Sequence, residues 1–171
     1  MPRFRLRAAT LRDLDLLVRH RRGMWAEISD LTAEELDSAD RVYRRWARTR
    51  MTSGSLIGFV VETAGHEPAA SGCLWLMPMQ PRPRSKGALV PYLMSMYTEP
   101  AHRGNRLATR IVREAVRWSK DHGYRVVFLH ASPHGAGLYT RAGFRRTREM
   151  ILRLVPASRG TKRSPRKVPR R

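Results

Sequence analysis

The sequence predicts an α/β (α+β) fold in which a mixed central sheet of six to seven strands is flanked by about four helices. Two observations support this prediction. Stretches that alternate like a strand and stretches with the period of a helix follow one another along the chain, and two of the helices begin at capping boxes. A length of 171 residues suits a single domain with a sizeable core.

The first third of the chain is predicted to contain one strand and two helices. Residues 4–8 alternate in the manner of a strand. The first helix is expected to start at the capping box of residues 10–13 and to end just before Gly23. The second is expected to start at the capping box of residues 32–35 and to extend to about Met51.

The middle of the chain is predicted to be rich in strands. Residues 55–62 and 69–77 are expected to form a hairpin across the turn residues AGHEP. A Pro-rich loop over residues 79–87 then leads into a further strand over residues 89–97.

The last third is predicted to contain two helices and the remaining strands. A helix from about Gly104 to Asp121 presents one apolar stripe, which consists of Leu107, Ile111, Ala115 and Trp118. The other predicted elements are a strand over residues 124–130, a short helix over 135–141 and one or two final strands over 144–154.

The charge of the chain is large and unevenly placed. A net charge of +20 is compatible with nucleic-acid binding through counterion release. However, the last sixteen residues contain seven basic side chains and no acid. We therefore expect residues 1–155 to form the domain and residues 156–171 to form a disordered basic tail, with nonspecific nucleic-acid contact restricted to that tail.

Cysteine content and hydropathy point to a cytoplasmic protein. Cys73 is the single cysteine, so no disulfide can form within the chain, and we interpret it as a buried apolar residue rather than a nucleophile. No apolar run approaches the roughly 20 residues that span a bilayer. The first ten residues show no signal-peptide core, and we predict no metal site and no membrane partner.

The most informative segment is Met96 to Ala108, with the sequence MYTEPAHRGNRLA. A strand-like run breaks at Pro100 into a turn that contains Arg103 and Gly104 and opens a long helix. Amides in the first turn of a helix have no internal partner, and the helix dipole adds partial positive charge there. The segment therefore predicts a pyrophosphate site in which Arg103 supplies a fixed cation.

This turn and the order of elements resemble the GNAT superfamily of N-acetyltransferases over roughly residues 3–154. The family's acyl-CoA turn reads Arg or Gln, two residues, Gly, one residue, then Gly or Ala. Arg103 and Ala108 match this pattern, Gly104 gives the frequent Arg-Gly start, and Arg106 replaces the second Gly. The resemblance implies a helical backbone at Arg106, with its guanidinium directed outward.

A second matching segment is Leu129 to Phe144, LHASPHGAGLYTRAGF, in which Ser132 stands where many family members carry Asn. The resemblance also implies that the backbone of the strand MSMY pairs with the pantetheine amides. Four residues of the second segment match in register, and these are Leu138, Tyr139, Gly143 and Phe144. The cofactor-binding residues implied are Met96, Tyr97, Thr98, Arg103, Gly104, Asn105, Arg106, Leu107, Ala108, Thr109 and Ser132.

The chemistry that the resemblance implies is acyl transfer from a thioester to an amine. The oxyanion must be held, and a backbone N–H near Met96 or Tyr97 is the candidate donor. Tyr139 is the candidate general acid, because a phenol with a pKa of about 10 keeps its proton at neutral pH. The alternative is that Tyr139 only packs within the short helix and bonds a backbone group.

The general base is left open by the sequence. An acceptor amine with a pKa of about 10.4 must lose a proton before it attacks. Glu99, at the end of the strand before the turn, is one candidate. Glu62, His130, His134 and a chain of water molecules are the alternatives.

Recognition of the acceptor is expected at the first two helices and at one end of the sheet, as the resemblance implies. Residues 13–40 hold eight of the fourteen acids and only three Arg. Glu27 is a candidate to face a cationic amine, with Trp25 and Tyr92 as lining residues. The alternatives are a solvated helical surface for Glu27 and a core position for either aromatic residue.

Together, these features predict an acetyl-CoA-dependent N-acetyltransferase. It would move an acetyl group to a primary amine of a small molecule or peptide by direct attack in a ternary complex, as a monomer or homodimer. The alternative is a catalytically weak acyl-CoA-binding module whose Arg-rich tail docks on nucleic acid or ribosomes.

Overall fold

A computed structural model describes residues 4–81, 87–150 and 152. The elements within these residues are β1 (Phe4–Ala8), α1 (Leu14–Ile28), α2 (Ala33–Thr52), β2 (Leu56–Thr63), β3 (Pro68–Pro78), β4 (Leu89–Thr98), α3 (Leu107–Asp121), β5 (Phe128–Leu129) and α4 (Ala136–Arg141). Short 3-10 turns over Leu11–Asp13 and Pro100–His102 precede α1 and α3 respectively.

The strands form one mixed sheet in the order β1-β2-β3-β4-β5. The first four strands are antiparallel neighbours, whereas β5 pairs with β4 in parallel after the crossover through α3. The mixed α+β architecture predicted from the sequence is confirmed.

Helices cover both faces of this sheet. One face of β2 contributes Phe59 and Val61 to a core shared with α3, and the other contributes Leu56 to a core shared with α1 and α2. The predicted stripe of α3 is confirmed, because Leu107, Ile111 and Ala115 are fully buried and Trp118 packs against the same core.

Helix α1 continues through Gly23 to Ile28, so the prediction that it ends before Gly23 is wrong. Gly23 does not end the helix; it allows a side chain from the sheet to contact the helix backbone closely. A Cβ atom at this position would lie 2.7 Å from Cζ of Tyr97 on β4. Gly23 therefore lets the phenol ring of Tyr97 pack against the backbone of α1.

The predicted count of six to seven strands is too high for the described part of the chain, which contains five. Within residues 124–130 only Phe128 and Leu129 form a strand, because β5 meets β4 at just two positions. Residues 144–150 form no strand and are largely exposed. Most of residues 151–154 and the predicted tail over 156–171 lie outside the described residues.

A partly buried ion network ties β1 to the start of the helical layer. Arg7 donates to both carboxylate oxygens of Asp13 at 2.8 and 2.9 Å and to Glu62 of β2 at 2.8 Å. The guanidinium lowers the pKa values of both carboxyls below their ordinary values. Asp13 also closes the capping box at Thr10, so one carboxylate serves the helix start and the strand together.

No helix in the described ranges has the length and apolar character needed to cross a bilayer.

Candidate active site

The site forms where β4 separates from β5. The two strands pair only at Tyr92 with Phe128 and at Leu93 with Leu129. Among the described residues, the later part of β4, residues 94–98, has no strand partner on that side. The result is an open edge of backbone groups on the β5 side of β4.

A bulge in β4 accounts for this separation. The register with β3 shifts by one residue between Met94 and Tyr97, and Ser95 adopts a left-handed backbone with φ of 54°. Opposite the bulge, a Cβ atom on Gly72 would lie 2.4 Å from the sulfur of Met96. Gly72 therefore accommodates the bulge, and the backbone from Met96 to Thr98 lies at the open edge, where the resemblance implied pantetheine contacts.

The turn after β4 presents a row of free amides. In the described structure, the backbone N–H groups of residues 104–109 donate to no protein acceptor. The Asn105 side chain holds the turn by donating to the carbonyl oxygens of His102 at 3.0 Å and Arg103 at 3.4 Å. The buried side chain of Leu107 anchors the start of α3 in the core. The amides of this turn are therefore available to an anionic group.

Arg106 has a backbone conformation that differs from the one expected. The resemblance implied a helical backbone, but Arg106 is left-handed with φ of 56° and immediately precedes α3. Gly104, two residues earlier, also has a positive φ of 82°. The two left-handed residues turn the chain sharply into α3, which explains why a glycine would suit position 106. The Arg106 side chain is exposed.

Arg103 and Glu27 are bound to each other. The Arg103 guanidinium donates to the Glu27 carboxylate from Nη2 and to the carbonyl of Thr98 from Nε at 3.1 Å, and it lies 5.8 Å from the ring centre of Tyr97. The sequence assigned these two side chains to different ligands, the diphosphate and the acceptor amine. In the structure each charge already has a partner.

His20 is a residue that sequence reasoning missed. It is completely buried, with Nδ1 2.8 Å from Oγ of Ser71 and Nε2 3.0 Å from Oε1 of Glu99. Burial lowers the pKa of His20, which favours the neutral ring. An ionised carboxylate can only accept, so Nε2 carries the proton and Ser71 donates to Nδ1.

The position of His20 on α1 contained a signal for its burial. It follows Leu16 by four residues and Leu17 by three, so it lies on the apolar stripe of the helix.

The contact between His20 and Glu99 also bears on the proposed role of Glu99 as a general base. The oxygen of Glu99 that accepts from His20 lies 3.9 Å from the guanidinium of Arg19. Glu99 as a general base stays a prediction.

Tyr139 lies on α4 with its ring against Phe144, at a centroid distance of 5.9 Å. Its phenol forms no hydrogen bond to any described residue, in contrast to the alternative that it bonds a backbone group. Burial raises the pKa of Tyr139, so the hydroxyl keeps its proton at neutral pH. Ser132 accepts from the amide of Gly135 at 3.2 Å and thereby supports the turn before α4.

Tyr92, His130 and Glu149 form a connected group at the separation of β4 and β5. The Tyr92 hydroxyl contacts Nδ1 of His130, and Nε2 of His130 lies 3.1 Å from Oε2 of Glu149. Burial, together with the Glu149 charge, raises the pKa of Tyr92. The sequence had placed Tyr92 among the acceptor-lining residues and His130 among the alternative bases, without linking them.

The remaining candidates are separate from this group. Glu62 is bound to Arg7, as described above, and His134 is exposed in the turn before α4. Trp25 packs with its ring 5.7 Å from the Arg21 guanidinium. Cys73 is completely buried, as predicted, and burial raises its pKa to about 12.

Comparison with known proteins agrees with this geometry. The model of the acetyltransferase (GNAT) family matches residues 21–144, and the chain therefore belongs to the GNAT acetyltransferase family. No curated protein matches the sequence.

Solved structures share the fold. A GCN5-related N-acetyltransferase from Ralstonia eutropha is 28% identical with a TM-score of 0.81, covering 89% of this chain and 99% of that one. A predicted acetyltransferase from Clostridium acetobutylicum, solved with acetyl-CoA, is 24% identical with a TM-score of 0.79 and covers 88% and 95% respectively. Glucosamine-6-phosphate N-acetyltransferase from Arabidopsis thaliana is 19% identical, with a TM-score of 0.63 and coverage of 88% and 97%.

Proposed function

We propose that the protein is an acetyl-CoA-dependent N-acetyltransferase that acts on a primary amine by direct attack in a ternary complex. The observation that supports this proposal most strongly is the row of unpartnered amides over residues 104–109, directly beyond the open edge of β4. These groups suit a ligand with a diphosphate followed by an extended chain that contains amides. Coenzyme A has that composition.

Each part of the donor has matching groups in the chain. The amides at the start of α3 would bind the diphosphate, with the helix dipole adding favourable charge. The open backbone from Met96 to Thr98 would bond the pantetheine amides as a strand bonds its neighbour. Acetyl-CoA would supply the acyl group as a thioester, and the backbone N–H of Met96 or Tyr97, beside the bulge at Ser95, would stabilise the oxyanion.

Tyr139 would complete the reaction as the general acid. Its hydroxyl is free of protein partners in the described structure and remains protonated at neutral pH because burial raises its pKa. It would donate that proton to the departing thiolate. The acceptor would approach from the side of α1 and of Tyr92, where the sequence predicted Trp25 and Glu27 as further contacts.

Two measurements test this proposal on the full chain. Calorimetry should detect 1:1 binding of acetyl-CoA, and a thiol-release assay with a panel of primary amines should detect turnover with at least one acceptor. Absence of binding by folded protein would contradict the assignment of the diphosphate turn. Binding without turnover on any amine, combined with salt-sensitive RNA binding that is lost when residues 156–171 are deleted, would support the docking module instead.

A further inference from the structure

Tyr92, His130 and Glu149 form a linear series of hydrogen-bonded side chains. None of the three is assigned to the binding of the donor. Tyr92 comes from β4, His130 directly follows β5, and Glu149 belongs to the segment after α4. Glu149 lies beyond the residues that match the family model. The group therefore depends on a feature of this chain outside the matched region.

The direction of the hydrogen bonds among these three side chains follows from the Glu149 carboxylate, which can only accept. The Glu149 carboxylate accepts from Nε2 of His130 across 3.1 Å, which places the proton of the neutral ring on Nε2. Nδ1 then holds a lone pair, and it accepts from the hydroxyl of Tyr92. The imidazole is thus oriented with its basic nitrogen toward Tyr92 and its acidic nitrogen toward a carboxylate.

The position of these three side chains agrees with a role in the reaction. Tyr92 and Leu93 are the last residues of β4 that pair with β5, and His130 is the first residue after β5. The group therefore lies where the two strands separate and the open edge begins. Tyr92 is half-buried, while the side chains of His130 and Glu149 are 67% and 65% exposed, so the three side chains run from a half-buried position out to solvent.

We propose that this group deprotonates the acceptor amine, with Tyr92 as the contact to the amine and His130 as the proton acceptor. This inference rests on the proposed N-acetyltransferase function. The ammonium group donates a proton to the Tyr92 oxygen while the phenolic proton passes to Nδ1 of His130. The amine becomes neutral, Tyr92 is unchanged and His130 becomes imidazolium. Glu149 is a positioning residue, which fixes the ring and stabilises its positive charge.

Among the described residues, Tyr92 and Glu149 are the titratable groups that form hydrogen bonds with the His130 side chain. The proton can leave the imidazolium for solvent at the exposed end of the chain. A cycle of proton uptake and release therefore needs no movement of the backbone.

The test compares the pH dependence of kcat/KM for the wild type and His130→Gln, with the amine found in the panel above. The wild-type rate should level off once the imidazole is neutral. Without the base, only the minor neutral fraction of the amine reacts, so the variant should be about 100-fold slower at pH 7 and keep rising toward about pH 10. Tyr92→Phe should behave similarly, and Glu149→Gln should lose about tenfold.

His66→Gln provides the matched control, because it removes an exposed imidazole that also contacts a carboxylate, that of Glu62, and it should leave the profile unchanged. Unchanged profiles in His130→Gln and Tyr92→Phe would overturn the inference while turnover by the wild type still supported the proposed function. A profile that moved in Glu99→Gln instead would assign the base to Glu99 and also overturn it.

Nitrogen NMR of the imidazole ring gives a readout that is independent of turnover. The neutral ring of His130 should carry its proton on Nε2, and Tyr92→Phe should shift the resonance of Nδ1. A proton on Nδ1, or no response to Tyr92→Phe, would overturn the proposed chain. Lack of acetyl transfer by the wild type would contradict the proposed function itself.

Discussion

Backbone conformation at single residues marks the borders of the proposed donor site. In the described ranges, the non-glycine residues with positive φ are His66, Ser95 and Arg106. Ser95 forms the bulge that opens β4, and Arg106 directs the chain into α3. Left-handed backbone costs an L-residue about 1–2 kcal/mol, and such conformations persist where the surrounding structure enforces them. Two of the three therefore frame the proposed cofactor site.

Replacement of Arg106 by glycine tests this argument directly. The left-handed conformation favours glycine, so Arg106→Gly should raise the free energy of unfolding by about 0.5–1 kcal/mol, as measured by urea denaturation. The matched control is Arg113→Gly, an exposed position inside α3, which should lose about 1 kcal/mol. Equal losses in both variants would show that position 106 is an ordinary helical site.

A second residue-scale prediction concerns the phenol of Tyr139. Tyr139→Phe removes the proton donor but keeps the ring against Phe144, so kcat should fall by about 100-fold while calorimetric affinity for acetyl-CoA stays within twofold. Tyr124→Phe, on the strand connection after α3, is the control and should retain full activity. If kcat were unaffected by Tyr139→Phe, the residue would be confined to a packing role.

At the scale of elements, the attachment of β1 to the first helix depends on charge. Asp13 has a lowered pKa because Arg7 bonds both of its oxygens. A carboxylate of this kind stabilises the fold above its unfolded pKa of about 3.9, and the stabilisation is lost as the pH falls through the lower folded value.

Asp13→Asn should therefore lower the free energy of unfolding by roughly 2 kcal/mol at pH 7, with a difference from wild type that shrinks toward pH 2. Urea denaturation across this pH range measures both effects. Asp37→Asn removes an exposed carboxylate that pairs with Arg22, and it should change stability by less than about 0.5 kcal/mol. A constant difference between Asp13→Asn and wild type at every pH would contradict the linkage.

The elements that could be predicted from the sequence are those specified by local signals. The capping boxes at Thr10 and Thr32 are both formed, and the hairpin of β2 and β3 follows from its turn residues. The extents of β5 and of the last predicted strand were wrong within the described residues, because a strand requires a partner. That partner, β4, turns away at Ser95, and nothing in the local pattern of residues 124–130 indicates this.

In the candidate site, too, features formed by neighbouring residues could be predicted from the sequence, and contacts between distant residues could not. The turn at residues 100–109 could be predicted because its glycine, its proline and the helix after it are contiguous. The contact of Arg103 with Glu27 and that of Glu99 with His20 join positions 76 and 79 residues apart. Such pairs depend on how α1 packs against β4, which periodicity cannot specify.

At the scale of the whole molecule, the pair of Arg103 and Glu27 links α1 to the proposed donor turn. Glu27 belongs to α1, whereas Arg103 begins the turn that leads into α3. A diphosphate bound at the amides of that turn would compete with Glu27 for the guanidinium. We therefore expect the charge on α1 to weaken donor binding, because it holds the cation away from the diphosphate.

Glu27→Gln should accordingly bind coenzyme A about threefold more tightly at low salt, with the difference disappearing near 1 M salt. Isothermal titration at two salt concentrations provides the measurement. Glu67→Gln removes an exposed carboxylate beside β3 and is the charge-matched control, with no change in affinity expected. Weaker binding by Glu27→Gln would indicate that Glu27 positions Arg103 for the diphosphate.

The pairing of β4 with β5 at two positions affects how firmly the C-terminal part of the chain is held. Among the described residues, strand pairing joins that part, which includes α4, to the rest of the sheet at just two positions, while Leu138, Tyr139 and Phe144 pack against the core. A donor bound where β4 and β5 separate would contact both strands and strengthen their attachment to each other. Stiffening of the segment around α4 would then accompany loading of the donor, so that Tyr139 would be held rigidly only when there is a thiolate for it to protonate.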